Sequence, residues 1–77
     1  MTKIGKFFTL SHTNKPVYFL ELTGFDYVTF TYTCIEYEFV RSTPDNHGIY
    51  KEHTRGTIMA EELIKDGYRE IEDPRRI

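Results

Sequence analysis

Cys34, His12, His47 and His53 are the side chains of this chain best suited to bind a soft metal or to act as nucleophile and base. None of them falls in a CxxC, HxxxH or other close ligand spacing, so no metal site is expected. A nucleophilic Cys34 would need a lowered pKa and a nearby base. Its neighbours Thr33 and Ile35, in an alternating stretch, instead suit a small buried hydrophobe. Glu36 and Glu38 stand two apart and share one face of a strand. Paired carboxylates perform acid/base work when burial drives their pKa values apart. On a surface they keep a strand soluble and discourage aggregation, which is the reading adopted for this pair. Arg55-Gly56-Thr57, ahead of a helix, could hold an anion on free N–H groups, but a plain helix start is the simpler reading. No catalytic residue and no cofactor is expected, and the chain is expected to act by binding.

The candidates for binding fall into two sets. Surplus aromatics, a change of strand phase and a polar loop point to a protein partner held by Glu36, Tyr37, Glu38, Phe39, Asp45, His47 and Tyr50. Tyr37, Phe39 and Tyr50 would be the anchors, because buried aromatics dominate interface energetics, and the two glutamates would set charge complementarity. The activity expected is that of a small inhibitor or adaptor of the phage or mobile-element type, an anti-defence protein for example. The alternative is a nucleic-acid surface using the sheet or Arg55, Arg69, Arg75 and Arg76. Against it, the aromatics of the third strand alternate with Thr and Glu, so phosphate-neutralising charge is missing where bases would stack. Self-association into a homodimer through an unpaired edge or the extra aromatic row is the third possibility.

Composition sets the scale of the domain that must present these groups. Seventy-seven residues make one domain with a thin core, and a 16% share of Phe and Tyr supplies the burial that its length withholds. The net charge of −2 names neither an acidic mimic nor a basic binder. One cysteine excludes an internal disulfide, and Met1 to Lys6 carries no apolar run of signal-peptide type, so a cytoplasmic setting is expected. No stretch approaches the ~20 apolar residues that span a bilayer, and no membrane partner is expected.

The elements read as successive strands followed by one helix, an α+β domain with a small antiparallel sheet of four to five strands and a C-terminal helix packed on one face. Gly5 to His12 and Val17 to Leu22 form a hairpin around Thr13-Asn14-Lys15-Pro16, with Tyr18, Leu20 and Leu22 as the core face. Gly24 supports a second turn. In Tyr27 to Arg41, Val28, Phe30, Tyr32 and Cys34 alternate with threonines, and then Ile35, Tyr37 and Phe39 alternate with glutamates. This requires either a β-bulge near Cys34-Ile35 or a long strand whose halves turn apolar groups to opposite sides. Ser42 to Gly48 has the chemistry of an exposed loop, and Ile49 to Thr54 of a short strand. Thr57 is the expected N-cap of a helix ending at Asp66, with Gly67 at C′ and Met59, Ala60, Leu63 and Ile64 toward the sheet. Tyr68 to Glu72 forms an edge strand, and residues 73–77 a frayed tail.

This layout resembles a WGR domain. The likeness rests on a Lys-Phe-Phe strand, a short turn, Tyr18-Phe19-Leu20-Glu21-Leu22-Thr23-Gly24, Val28-Thr29-Phe30, and a close at Leu63-Ile64-Lys65-Asp66-Gly67-Tyr68-Arg69-Glu70-Ile71. WGR domains help poly(ADP-ribose) polymerases contact DNA ends, so the resemblance implies a nucleic-acid role. The signature Trp-Gly-Arg is absent, and Tyr32-Thr33-Cys34 stands near its place, so the resemblance assigns that role to no residue here.

Overall fold

The computed structural model describes residues 3–13 and 15–75. Five strands and one helix follow in the order β1 (Phe7–Thr9), β2 (Tyr18–Asp26), β3 (Thr31–Ser42), β4 (Gly48–Met59), α1 (Ala60–Lys65) and β5 (Arg69–Ile71). They form one antiparallel sheet with the helix on one face, as the sequence predicts, and the strands lie in the order β4-β3-β2-β1-β5.

The alternation on β2 and β3 builds a core on each side of this sheet. On the helix side Phe8, Leu20, Leu22, Tyr32 and Cys34 pack beneath Leu63, with Phe25, Ile58, Ala60 and Tyr68 at the margin. The change of phase on β3 is the straight-strand alternative, because Thr31 to Glu38 pair with β2 without an interruption in β3 itself. Ile35, Tyr37 and Phe39 therefore turn to the opposite side. There Phe19, which the sequence assigns to the lesser face of its strand, is only 1% exposed. Its ring stacks on Tyr37 at 5.1 Å and meets Phe7 and Tyr50 edge-on at 5.9 and 4.9 Å. A single helix covers one face only, so this second aromatic cluster is closed by Arg75, whose guanidinium lies 4.6 Å from the Tyr37 ring and 5.3 Å from Phe7. Arg75, part of the segment expected to be a frayed tail, thus lies over the sheet; Arg76 and Ile77 fall outside the described residues, as does Asn14 of the expected first turn.

Three local expectations are corrected. Gly24 makes no turn: β2 runs on to Asp26, with Thr23 as an extra residue between Leu22 and Gly24. A side chain at Gly24 would put its Cβ 2.7 Å from Thr33 Oγ1, so glycine lets the strands close up at this bulge. The reversal occurs at residues 27–30, where Asp26 Oδ1 accepts the Val28 N–H at 2.8 Å. Val28 and Phe30 are thereby exposed in the turn and do not belong to the third strand. The second correction concerns Thr57, which lies within β4 and caps nothing. Thr54 to Ile58 is rich in β-branched residues and pairs with Tyr32 to Glu36, so tertiary pairing prevails over helix formation there. Met59 is the N-cap residue, and its N–H donates to Glu62 Oε1 at 3.3 Å. The third correction follows from this shorter helix: Ala60 and Leu63 meet the sheet, whereas Met59 and Ile64 are exposed. Gly67 keeps its expected role, at φ +85° after the helix.

Candidate functional site

Six helical residues cover only the end of the sheet nearest the β2–β3 turn. Toward the other end the same face carries Tyr18 from β2, Glu36 and Glu38 from β3, and Lys51 and His53 from β4. Cross-strand pairing sets Tyr18 and Lys51 on either side of Glu38, and Leu20 and Thr54 on either side of Glu36. His53 is the extra residue of a bulge, since Glu36 pairs with Thr54 while the next residue, Tyr37, pairs with Glu52. The bulge aims the imidazole at the glutamates: Nε2 lies 3.9 Å from Glu36 Oε1 and Nδ1 3.8 Å from Glu38 Oε1. The Tyr18 hydroxyl donates to Glu38 Oε2 at 3.2 Å, and Lys51 Nζ stands 3.9 Å from Glu38 Oε1. The charge of Glu38, followed by that hydrogen bond, holds the Tyr18 hydroxyl above its ordinary pKa.

Beside the glutamates a cleft of about 250 Å³ opens between Leu10, Val17, Tyr18, Leu20 and Tyr68, with Glu36 as its charged group. Leu10 and Val17 are 52% and 58% exposed. Tyr68 has its hydroxyl pushed up by burial first and by Glu36 next. A larger groove of about 790 Å³ lies elsewhere, lined by Lys15, His47, Arg69, Glu72 and Asp73 among others. Its cations are already engaged: Arg69 donates to the carbonyls of Ser11 and Thr13 at 2.7 and 3.1 Å, and Lys15 donates to Asn46 Oδ1 and Ser42 Oγ. The smaller cleft joins exposed apolar groups to a carboxylate and is the better candidate for a recognition site.

The predicted partner-binding residues do not form one surface. Glu36 and Glu38 face the helix side; Tyr37, Phe39 and Tyr50 belong to the opposite aromatic cluster, where the Tyr37 hydroxyl donates to Glu21 and that of Tyr50 to the Pro16 carbonyl at 2.8 Å. Asp45 and His47 sit in the β3–β4 loop at the end of the molecule. The arginines are equally dispersed. Arg55 is on edge strand β4, bound to Glu52; Arg69 is on the other edge, β5; Arg75 is over the aromatic cluster with Asp73. Arg76 lies outside the described residues.

Tyr18, Lys51, Leu10, Val17 and Tyr68, none of them a binding candidate from the sequence, complete the site together with His53, which the sequence offers only as a metal ligand or base. Lys51 and His53 alternate along one segment as Glu36 and Glu38 do along another, and that complementarity was the available signal. Among the described residues no group of three or more metal-ligating side chains could hold an ion, and no helix is long and apolar enough to cross a membrane. Cys34 is buried, which pushes its thiol above the ordinary pKa and disfavours the nucleophilic thiolate. Compared with known proteins, the chain matches no family model, no curated protein and no solved structure.

Proposed function

We propose that this domain is a non-enzymatic protein-binding module that works as an adaptor or inhibitor by covering part of a partner's surface, and that the uncovered half of its helix-side face is the binding surface. One observation carries the reading: exposed Leu10 and Val17 border a cleft that ends at Glu36, with Glu38 beside it. Such a cleft suits a lysine or arginine of the partner. The aliphatic stem would lie on Leu10, Val17 and Tyr18, and the cationic head would reach the glutamates. Burying both parts of one side chain in this way makes a compact anchor, and recognition is then specific for a basic segment.

The test is capture from nuclease-treated lysate with the wild-type domain and two surface variants, Val17→Glu and Glu36→Lys/Glu38→Lys, each first shown to melt as a folded domain. The expected result is one stoichiometric protein held by the wild type and released by both variants. Equal retention by all three, or recovery of no protein, would overturn the proposal.

A further inference from the structure

β4 is an edge strand of twelve residues, and among the described residues its outer side pairs with nothing. Long bare edges are usually blunted by charge or bulges, and this one carries both: Lys51, Glu52 and Arg55, with the bulge at His53. Their arrangement is self-complementary.

Which main-chain groups face outward follows from two hydrogen bonds. Ala60 N–H donates to Phe30 O at 2.9 Å, so by the alternation of antiparallel pairs Ile58, Gly56 and Thr54 bond to β3, and Thr57 and Arg55 turn their N–H and C=O outward. Phe39 N–H donates to Val17 O at 2.8 Å, so Phe39 spends its groups on β2, and its β4 partner Tyr50, with Glu52 two residues on, also points outward. The outward set is Tyr50, Glu52, Arg55 and Thr57. A second copy paired antiparallel about a two-fold axis between His53 and Thr54 sets Glu52 opposite Arg55 and Tyr50 opposite Thr57, each pair joining outward residues. About eight main-chain hydrogen bonds result, two per close pair. Glu52 and Arg55 project from the same face, because the bulge between them shifts the alternation and lets them bridge within the chain at 2.7 Å. In the pair of copies each exchanges that bond for its counterpart across the axis. A slip of one residue is disfavoured: one direction brings Lys51 opposite Arg55, and the other sets Glu52 against Gly56.

We infer that the domain forms a two-fold homodimer through β4, making one continuous ten-stranded sheet, with Glu52 and Arg55 fixing the register. The surfaces around Glu36, Glu38 and His53 would then lie side by side across the axis, so the dimer would present two binding surfaces together.

Sedimentation velocity of the purified chain alone, from low micromolar to near-millimolar concentration, tests the inference without any partner. The expected result is a concentration-dependent monomer–dimer equilibrium. Glu52→Arg and Arg55→Glu would each weaken it by about tenfold or more, and the two reversals together would restore it. Thr57→Pro would abolish it while leaving the monomer folded, since among the described residues that outward N–H has no partner. A chain that stays monomeric throughout, or a dimer indifferent to the single charge reversals, would overturn the inference.

Discussion

Phe19 and Leu20 are adjacent on β2, and each is buried on its own side of the sheet. Phe19 has no helix above it; Tyr37, Tyr50 and Phe7 surround its ring, and Arg75 covers the Tyr37 and Phe7 rings. Truncating a buried Phe costs about 3–5 kcal/mol, a large part of the ~5–15 kcal/mol that holds a typical domain. Phe19→Ala is therefore expected to lower the melting temperature by more than about 10 °C, comparably to Leu22→Ala in the other core. Thermal unfolding followed by circular dichroism checks this. A Phe19→Ala domain melting near the wild type would show the second cluster to be ornamental. The same residue marks a limit of sequence reading. Alternation identified which residues share a face with Phe19, but whether that face is covered depends on Arg75, more than fifty residues away.

At the scale of the elements, strand content and the closing glycine of the helix were legible, because alternation and Gly67 are local signals. The start of the helix was not. Thr57 is a good N-cap by type, yet its segment pairs with Tyr32 to Glu36, and a ladder to a distant strand leaves no mark in a ten-residue window. Gly24 misled for a related reason: its small size serves strand closure at a bulge, where a turn was the commoner reading. Half of the proposed binding surface was hidden likewise, since cross-strand register alone brings Lys51 and His53 to Glu38. Gly48, at the start of β4, has a comparable packing role. A Cβ there would come within 2.6 Å of the Tyr50 ring, which Phe19, Phe39 and the Pro16 carbonyl hold in place. Gly48→Ala is expected to destabilise by about 1–3 kcal/mol, as overpacking does. Denaturant titration would measure it, and in the double-mutant cycle with Tyr50→Ala most of the penalty should vanish.

The whole molecule is an extended slab, 45 by 20 by 19 Å, whose accessible surface of 5,381 Å² exceeds the ~4,900 Å² expected for its mass. Such a shape leaves little deep interior: of the tyrosines Tyr32 is buried, and Tyr37, Tyr50 and Tyr68 are half-buried. Burial is the leading cause that raises the Tyr50, Tyr37 and Tyr68 hydroxyls above their ordinary pKa; Arg75 partly opposes it at Tyr37, and nearby carboxylates reinforce it at Tyr68. A raised pKa means that the folded chain keeps protons that the unfolded chain releases. Stability from this source is therefore intact below the ordinary tyrosine value of about 10 and declines as pH rises through the folded values. The domain should consequently unfold in alkali, with its melting temperature level near neutrality and falling above about pH 10. The tyrosines are divided between the two sides of the sheet, Tyr68 beside the helix-side core and Tyr37 and Tyr50 in the aromatic cluster. Tyr50→Phe and Tyr68→Phe should thus each flatten part of the decline, and the double variant more than either. Melting curves at stepped pH, with tyrosinate absorbance as the second signal, would show ionisation and unfolding together if the two cores form one cooperative unit. Ionisation of these tyrosines well below the unfolding transition would mean that one side of the sheet opens without the other.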